Sequence, residues 1–457
     1  MFEKVLIANR GEVALRIHRA CREMGIKTVA VHSVADANAM HVKLADEAVC
    51  IGPANAKESY LNKANIISAA LMTGADAIHP GYGFLSENAD FAEMVEAHGL
   101  VWVGPKPDMI RKMGDKVEAR KMAKECGLPV TPGSDEEVAT VLDAIQWGEA
   151  LGYPVIIKAS AGGGGKGMRV VKRADDMEMA FTLAQNEARA AFGNAGVYIE
   201  KYFLNPRHIE VQILADNYGH VIHLGERDCS LQRNHQKVLE ETPSPALNAE
   251  ERERLGKMAV DFVQKIGYSN VGTVEFLYEK GQFYFMEMNT RLQVEHPITE
   301  AVTGLDIVRE QIRMAAGQTL DIRQEDIQFH GVAIECRINA ENPDTFVPCP
   351  GKIGQWHVPG GLAVRVDSGM YAGCDVPPNY DSLVAKLIVS GRTRNGALMR
   401  LKRALGEFVI EGIQTTIPLH QAITESPDFI DGQYDIHWLE EFIKNRQCGY
   451  ILDISEA

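Results

Sequence analysis

None of the eight cysteines in this 457-residue chain stands in a Cys-x-x-Cys pair. Scattered singly at Cys21, Cys50, Cys126, Cys229, Cys336, Cys349, Cys374 and Cys448, they argue against structural zinc and a disulfide framework, and they fit a reducing, cytoplasmic setting. No run of Lys and Arg offsets the formal net charge of -15, so nucleic acid is not an expected partner. No apolar stretch approaches the ~20 residues of a membrane span, and the apolar run near Met1 is too short for a signal peptide. Two phosphate fingerprints are also missing: the turn Asn9-Arg10-Gly11-Glu12 lacks GxGxxG, and Gly165-Lys166 is followed by Gly167 instead of the Ser or Thr of a Walker A loop. There is no internal repeat and no low-complexity segment. What remains is 46% hydrophobic and 24% charged, the balance of a soluble globular protein with about three domains.

Residues 4–8 read as a buried strand, 11–25 as an amphipathic helix closed by Gly25, and 27–33 as the next strand. Helix 61–73, strand 75–79, a loop over 80–86, helix 88–98 and strand 100–103 continue a doubly wound, Rossmann-like α/β layer. A helical stretch to Cys126 leads into the Gly/Pro-rich 127–133, the expected domain joint. Strand 153–158, a glycine loop, strand 168–171, helix 174–191 and strand 197–199 then form a compact unit. Strands 207–214, 220–226, 271–278 and 283–288, with helix 250–266 between the pairs, give an α+β section with an antiparallel sheet. A last mixed region from Gly331 ends in helix 395–407 and a tail helix near 437–445.

The densest chemistry lies in residues 287–296, where Glu287, Asn289, Arg291, Gln293 and Glu295 alternate with Met288, Thr290, Leu292 and Val294. The preceding residues 281–286 are apolar on both sides, as a buried central strand would be. Carboxylates and amides suit magnesium, Arg grips planar oxyanions, and a further Glu can take a proton. A straight row would be too long for one small site, so a bend is expected near Asn289 to Arg291. Glu275 sits on the strand before. A three-residue connection would set it opposite Glu287 on one face, whereas a two-residue connection would put the two on opposite faces.

Four adjacent glycines, Gly162 to Gly165, read as a lid whose bare amides approach phosphate, or as a plain hairpin tip. Lys158 at the end of the preceding strand fits phosphate or a snorkelling role. Glu200, Lys201, Tyr202 and Phe203 offer adenine a polar edge and flat walls, or form an ordinary strand exit. His208 reads as a ribose contact or a structural histidine. Gln232, His235 and Lys237 fall in a stretch from Glu226 that reads equally as an anion site or a solvated loop. Cys229 reads as an inert buried thiol. Arg337, inside an apolar strand, needs an anionic partner of its own or a substrate's.

Lys158 with its glycine loop, the Glu275/Glu287/Asn289 set and residues 291–297 resemble the ATP-grasp superfamily, and within it the biotin carboxylases. The resemblance extends to residues 7–12, 79–88 and 227–230, and so spans essentially the whole chain. It implies a preATP-grasp domain over 1–115, an ATP-grasp domain over 116–330 with its lid near 131–203, and a C-terminal domain over 331–457. It implies that ATP and bicarbonate form carboxyphosphate, whose CO2 passes to biotin, as in the first half-reaction of acetyl-CoA carboxylase in fatty acid synthesis. The alternative is the same half-reaction in a two-subunit pyruvate or propionyl-CoA carboxylase. Carried residue by residue, Lys116, Lys158, Gly164, Gly165, Glu200 to Phe203, His208 and His235 would hold ATP. Glu275, Glu287 and Asn289 would bind Mg2+ or Mn2+. Lys237, Arg291, Gln293 and the Val294 amide would hold bicarbonate, Glu295 would be its base, and Arg337 would stabilise the biotin enolate. The resemblance also implies a homodimer with Arg19, Glu23 and Arg365 near its interface. No lysine has Met on both sides, so biotin is expected on a separate biotin carboxyl carrier protein, with a carboxyltransferase as a further component.

Overall fold

The computed structural model describes residues 1–134, 136–160 and 167–455, with side chains described as far as residue 447. Lys4–Ile7 (β1), Lys27–Ser33 (β2), Glu47–Gly52 (β3), Ala77–His79 (β4) and Val101–Trp102 (β5) form a parallel sheet in the order β3-β2-β1-β4-β5. β1 sits at its centre, where Val5, Leu6 and Ile7 are buried, as uninterrupted apolar sequence requires. The expected doubly wound layer is present. β3 is an addition to the sequence reading, because this edge strand leaves much of its surface exposed and carries little hydrophobic signal. Loops at the C-terminal ends of β1 and β4 meet: Asn9 Nδ2 donates to the carbonyls of Pro80, at 2.7 Å, and Tyr82, at 2.8 Å.

Val155–Ala159 (β6), Arg169–Val171 (β7) and Val197–Lys201 (β8) make a small antiparallel sheet in the order β7-β6-β8. Helix Met177–Phe192 buries Ala180, Phe181 and Ala184 against it, beside a helix, Val141–Leu151, that the sequence reading did not pick out. The glycine loop, with Gly164 and Gly165, lies outside the described residues.

Arg207–Ala215 (β9), Val221–Arg233 (β10), Gln236–Thr242 (β11), Asn270–Glu279 (β12), Gln282–Asn289 (β13) and Val332–Asn339 (β14) belong to the largest sheet. In the C-terminal region follow Gly351–Lys352 (β15), Trp356–His357 (β16), Val364–Asp367 (β17), Asp375–Val376 (β18), Leu383–Gly391 (β19) and Val409–Ile410 (β20). The large sheet is antiparallel throughout, in the order β13-β12-β9-β10-β11-β14-β19-β17, and so runs continuously across residue 330. Two expectations are corrected here. Gly281 belongs to a turn, and residues 282–286 open an edge strand, not a central one. They are nonetheless apolar because the joint 127–133 covers that edge, Phe285 N donating to Pro129 O at 2.7 Å. Residues 226–237 are not a loop but most of β10, a two-residue turn at Asn234 and His235, and the start of β11.

The polar content of these strands follows from the two faces of the sheet. Ile209, Val211 and Ile213 of β9 pack with Phe262 and Val263 of helix Ala249–Lys265 in one apolar core. The alternate residues, His208, Glu210 and Gln212, face the other way and are also buried. There Arg227, fully enclosed, donates to Glu210 (2.5 Å), Gln212 (2.7 Å), Thr299 (3.0 Å) and Thr273 (3.3 Å). Such a guanidinium is held by its partners, and they by it. Arg227→Ala is therefore expected to cost about 3–5 kcal/mol of folding stability, because it strands buried acceptors. Chemical denaturation checks this, and a loss under 1 kcal/mol would contradict the network's structural weight.

Candidate active site

A cavity of about 1070 Å³ opens between the β1 and β4 loops, the small sheet and the polar face of the large sheet. Lys116, Lys158, Glu200, Lys201, Tyr202, Phe203, His208, His235, Lys237, Glu275, Glu287, Asn289, Arg291, Gln293, Val294 and Arg337 all line it. Glu295 lies directly behind, fully buried, and reaches the cavity through Lys237 and Arg337. The sequence reading thus gathered residues that the fold brings together.

The Glu275/Glu287 pairing arises by a different route from the one expected. The β12–β13 turn has two residues, Lys280 and Gly281, with φ of 51° and 80°, the backbone of a tight primed hairpin. Glu279 faces Gln282, and the register holds as far as Phe276 opposite Phe285. A regular ladder would then set Glu275 against Met286. A bulge instead advances β13 by one residue, so Glu275 faces Glu287. A two-residue turn alone would have failed to pair them.

Glu275 accepts from His208 Nε2 (2.8 Å), Asn289 Nδ2 (2.6 Å), Gln293 Nε2 (3.1 Å) and Lys237 Nζ (3.2 Å). Burial opposes its charge, but Lys237 and His208 outweigh it and hold Glu275 well below the ordinary carboxylate range. Glu287 goes the other way, pushed up by burial and then by the charge of Glu275. An opposed pair with one reluctant member fits a divalent cation, whose charge would let both ionise. Asn289 turns its nitrogen to Glu275 and its oxygen to Arg291, so ligation would need the amide to flip. Two tighter ligand groups, His208/Glu210/Glu275 and Glu210/Cys229/Glu295, were not anticipated. They share Glu210, whose oxygens already meet Arg227 and Lys237 at 2.5 Å each. Protein cations fill the place a metal would take.

Lys237 Nζ lies 2.5 Å from Glu210, 2.6 Å from Glu295 and 3.2 Å from Glu275. Glu295 also meets Arg337 Nη2 at 3.0 Å. Burial works against ionised Glu295, yet Lys237, Arg337 and Arg227 hold its pKa well below the usual value. Arg291 bonds Gln293 (2.8 Å) and Glu87 (2.9 Å), while the Val294 carbonyl accepts from buried Lys386 at 2.8 Å. Cys229 is an enclosed thiol pushed well above the ordinary value by burial, in keeping with the inert reading.

Toward the small sheet, Glu200 is claimed by Lys158 (2.5 Å) and Arg120, so its carboxylate is not free to meet an adenine amino group. Lys201 turns to the Gly152 carbonyl (2.6 Å). Phe203 stacks near Tyr284, with centroids 4.7 Å apart, and Tyr202 meets His437 (3.0 Å). Both ring nitrogens of His208 are engaged, by Glu275 and by Gln232 at 2.5 Å. Glu87, Glu210, Glu240, Arg227, Tyr82 and His437 were missed. For Glu210 the signal existed, a charge between Ile209 and Val211 in an apolar strand, the same signal that exposed Arg337.

A parallel N-terminal layer, a small sheet beside a glycine loop, and an antiparallel sheet whose carboxylates close on one cavity define an ATP-grasp enzyme. The comparisons sharpen this. Residues 1–110 match the model for the biotin carboxylase N-terminal domain, 115–323 the ATP-binding domain of the carbamoyl-phosphate synthase L chain, and 335–441 the biotin carboxylase C-terminal domain. The chain is 57% identical over 445 residues to "Biotin carboxylase 1" of Bacillus subtilis, covering 97% of this chain and 99% of that protein. It is 54% identical to a pyruvate carboxylase subunit of Methanothermobacter thermautotrophicus, covering 97% and 90%. Among solved structures, the biotin carboxylase domain dimer of Hydrogenobacter thermophilus 2-oxoglutarate carboxylase, with MgADP, ADP and bicarbonate, superposes with a TM-score of 0.92 at 49% identity, covering 96% and 98%. This chain belongs to the biotin carboxylase family.

The charge pattern sets a pH dependence. Glu275 and Glu295 have depressed folded-state pKa values, so their stabilisation is present above the unfolded carboxylate value of about 4.3 and is lost as pH falls through the folded values. Lys237→Met removes the shared cation. Its melting temperature should fall far below the parent's at pH 7, and the gap should narrow only as pH drops below about 4 toward the folded values. A gap independent of pH would contradict the assignment.

Proposed function

We propose that this chain carboxylates biotin, supplied on a separate carrier protein, at the expense of ATP and with bicarbonate as the carbon source. In the first step a bicarbonate oxygen attacks the γ-phosphorus, ADP leaves, and the bicarbonate proton passes to Glu295. Carboxyphosphate then breaks into CO2 and phosphate, the phosphate takes the proton of the biotin ureido nitrogen, and that nitrogen bonds to the CO2 carbon. The observation that carries this is the enclosed Glu295 between Lys237 and Arg337, beside the opposed Glu275/Glu287 pair.

Lys237, Arg291, Gln293 and Val294 all line the cavity, and the first three side chains and the Val294 amide would hold bicarbonate. Arg337, on the same wall, would stabilise the biotin enolate. Lys116 and Lys158 supply cations for phosphates, as would the amides of Gly164 and Gly165. Glu200 to Phe203 and His235 form the wall for the base, while His208 orients Glu275. Magnesium or manganese at Glu275, Glu287 and Asn289 would neutralise charge on the transferring phosphoryl group. The glycine loop is read as a lid that keeps water from the mixed anhydride.

We read the chain as three working units, 1–115, 116–330 and 331–457. They act in a homodimer, with exposed Arg19 and Glu23 and half-buried Arg365 near its interface. The acetyl-CoA carboxylase assignment is our first reading. The same half-reaction serves relatives named for pyruvate carboxylation, and a separate carboxyltransferase would choose the acceptor. No described helix is long and apolar enough to cross a membrane, which supports a cytoplasmic setting.

ATP cleavage that needs bicarbonate and rises with biotin is the expected result, and cleavage indifferent to both would overturn the reading. Glu295→Gln should lower bicarbonate-dependent turnover at least a hundredfold while ATP affinity holds within a few-fold, checked by steady-state kinetics and nucleotide binding. Arg337→Ala should spare ATP binding and depress biotin carboxylation by tenfold or more. Equal losses in both assays would count against its role.

A further inference from the structure

β11 and β14 carry a pair of buried acids that the reaction above does not use. Glu240 and Glu335 are cross-strand partners, both fully enclosed. Two positions along β14, Arg337 projects from the same face; its Nε donates to Glu240 Oε1 at 2.6 Å, and its Nη2 lies 2.6 Å from that same oxygen and 3.0 Å from Glu295 Oε2. Glu240 Oε2 and both oxygens of Glu335 find no hydrogen-bond partner among the described residues. One guanidinium is thus shared by two carboxylates, and only one of them, Glu295, is the base.

We infer that Glu240 is a positioning residue for biotin carboxylation: it shares Arg337 with Glu295 and keeps the guanidinium aimed at the cavity once Glu295 has been neutralised. The inference rests on the function proposed above. When Glu295 takes the bicarbonate proton, its pull on Arg337 weakens, and Glu240 alone is left to fix the side chain through Nε. Nη2 stays beside Glu240 Oε1, and the N–H that had pointed to Glu295 becomes available to an anionic oxygen on biotin. Glu240 can do this only while ionised. Burial pushes its pKa up to about 7, Arg337 and Lys237 working against that rise and Glu295 adding to it. The groups facing Glu240 are Glu335, Arg337 and Cys336 from β14, Lys237 of its own strand β11, Glu295 from the segment after β13, and the Cys229 thiol of β10. A carboxylate with a raised pKa loses its grip as pH falls, so the hold on Arg337 should fade below about pH 7.

The test uses the full chain with free biotin, ATP, magnesium and bicarbonate, followed over pH 6 to 9. The parent should show a kcat for biotin-dependent ATP cleavage that falls on the acid side of about pH 7. Glu240→Gln keeps an acceptor for Nε but not the charge; its kcat should drop at least tenfold and lose that acid limb, with KM for ATP within twofold. Glu240→Asp keeps the charge and should keep the limb at a lower kcat. Glu335→Gln, which touches no guanidinium, should keep both rate and limb. Should Glu240→Gln run within twofold of the parent, or Glu240→Asp lose the limb, or Glu335→Gln reproduce the loss, the inference is overturned. A parent without biotin-stimulated cleavage would overturn the function itself, an outcome distinct from all of these.

Discussion

A single ammonium, Lys237 Nζ, stands within 3.2 Å of three buried carboxylates, Glu210, Glu275 and Glu295. At such distances each attraction is on the order of 5 kcal/mol for an effective dielectric of about 20, and the mutual repulsion of the acids is of similar size. No one of the three acids would stay ionised in that enclosure by itself. Burial therefore organises the site: it makes each charge depend on the next, from Arg227 through Glu210 and Lys237 to Glu295 and Arg337. Glu275 and Glu295 are driven to ionise, and Glu287, which lies outside this chain of cations, is not.

The large sheet makes that enclosure possible. Its strands are buried on both faces, one apolar against helix Ala249–Lys265 and the other filled with charge. Strand alternation places Glu210, Glu275 and Arg227 in register on three neighbours, β9, β12 and β10. The bulge in β13 adds Glu287 to the same set. Further along, β14 and β19 contribute Arg337 and Lys386, residues directly opposite one another. Arg337 tethers Glu295, and Lys386 tethers the carbonyl of Val294. The short segment that carries both residues is thus fixed from the C-terminal region, which explains why one continuous sheet spans residues far apart in sequence.

Apolar patterning made the elements of the N-terminal layer legible, since β1 and β2 are short continuous apolar runs and the helix Gly11–Glu23 between them is amphipathic. It failed where a strand is polar for functional reasons. Residues 226–233 hold so many donors and acids that they read as solvated, yet they form the buried half of β10. The same blindness hid Arg227 and Glu240, each beside another charge in its strand, whereas Arg337 was conspicuous within an apolar strand. Register was out of reach for a different reason. One inserted residue, set by backbone geometry near Met286, decides whether two carboxylates meet, and composition carries no trace of it.

The depressed pKa of Glu295 poses a chemical problem, because a carboxylate held so firmly is a weak base. The geometry offers the resolution. Its two cations each have other partners: Lys237 has Glu210 and Glu275, and Arg337 has Glu240. An incoming anion that draws Lys237 toward itself would remove the largest single cause of the depression without leaving the ammonium unpaired. Glu295 would then gain basicity only when bicarbonate is in place. A base silent until its substrate arrives has a clear benefit, since an enclosed acceptor active at all times would invite water to attack the nucleotide. On the function proposed above, redundant pairing around Glu295 would let its strength change during a turnover while the charges of the fold remain balanced.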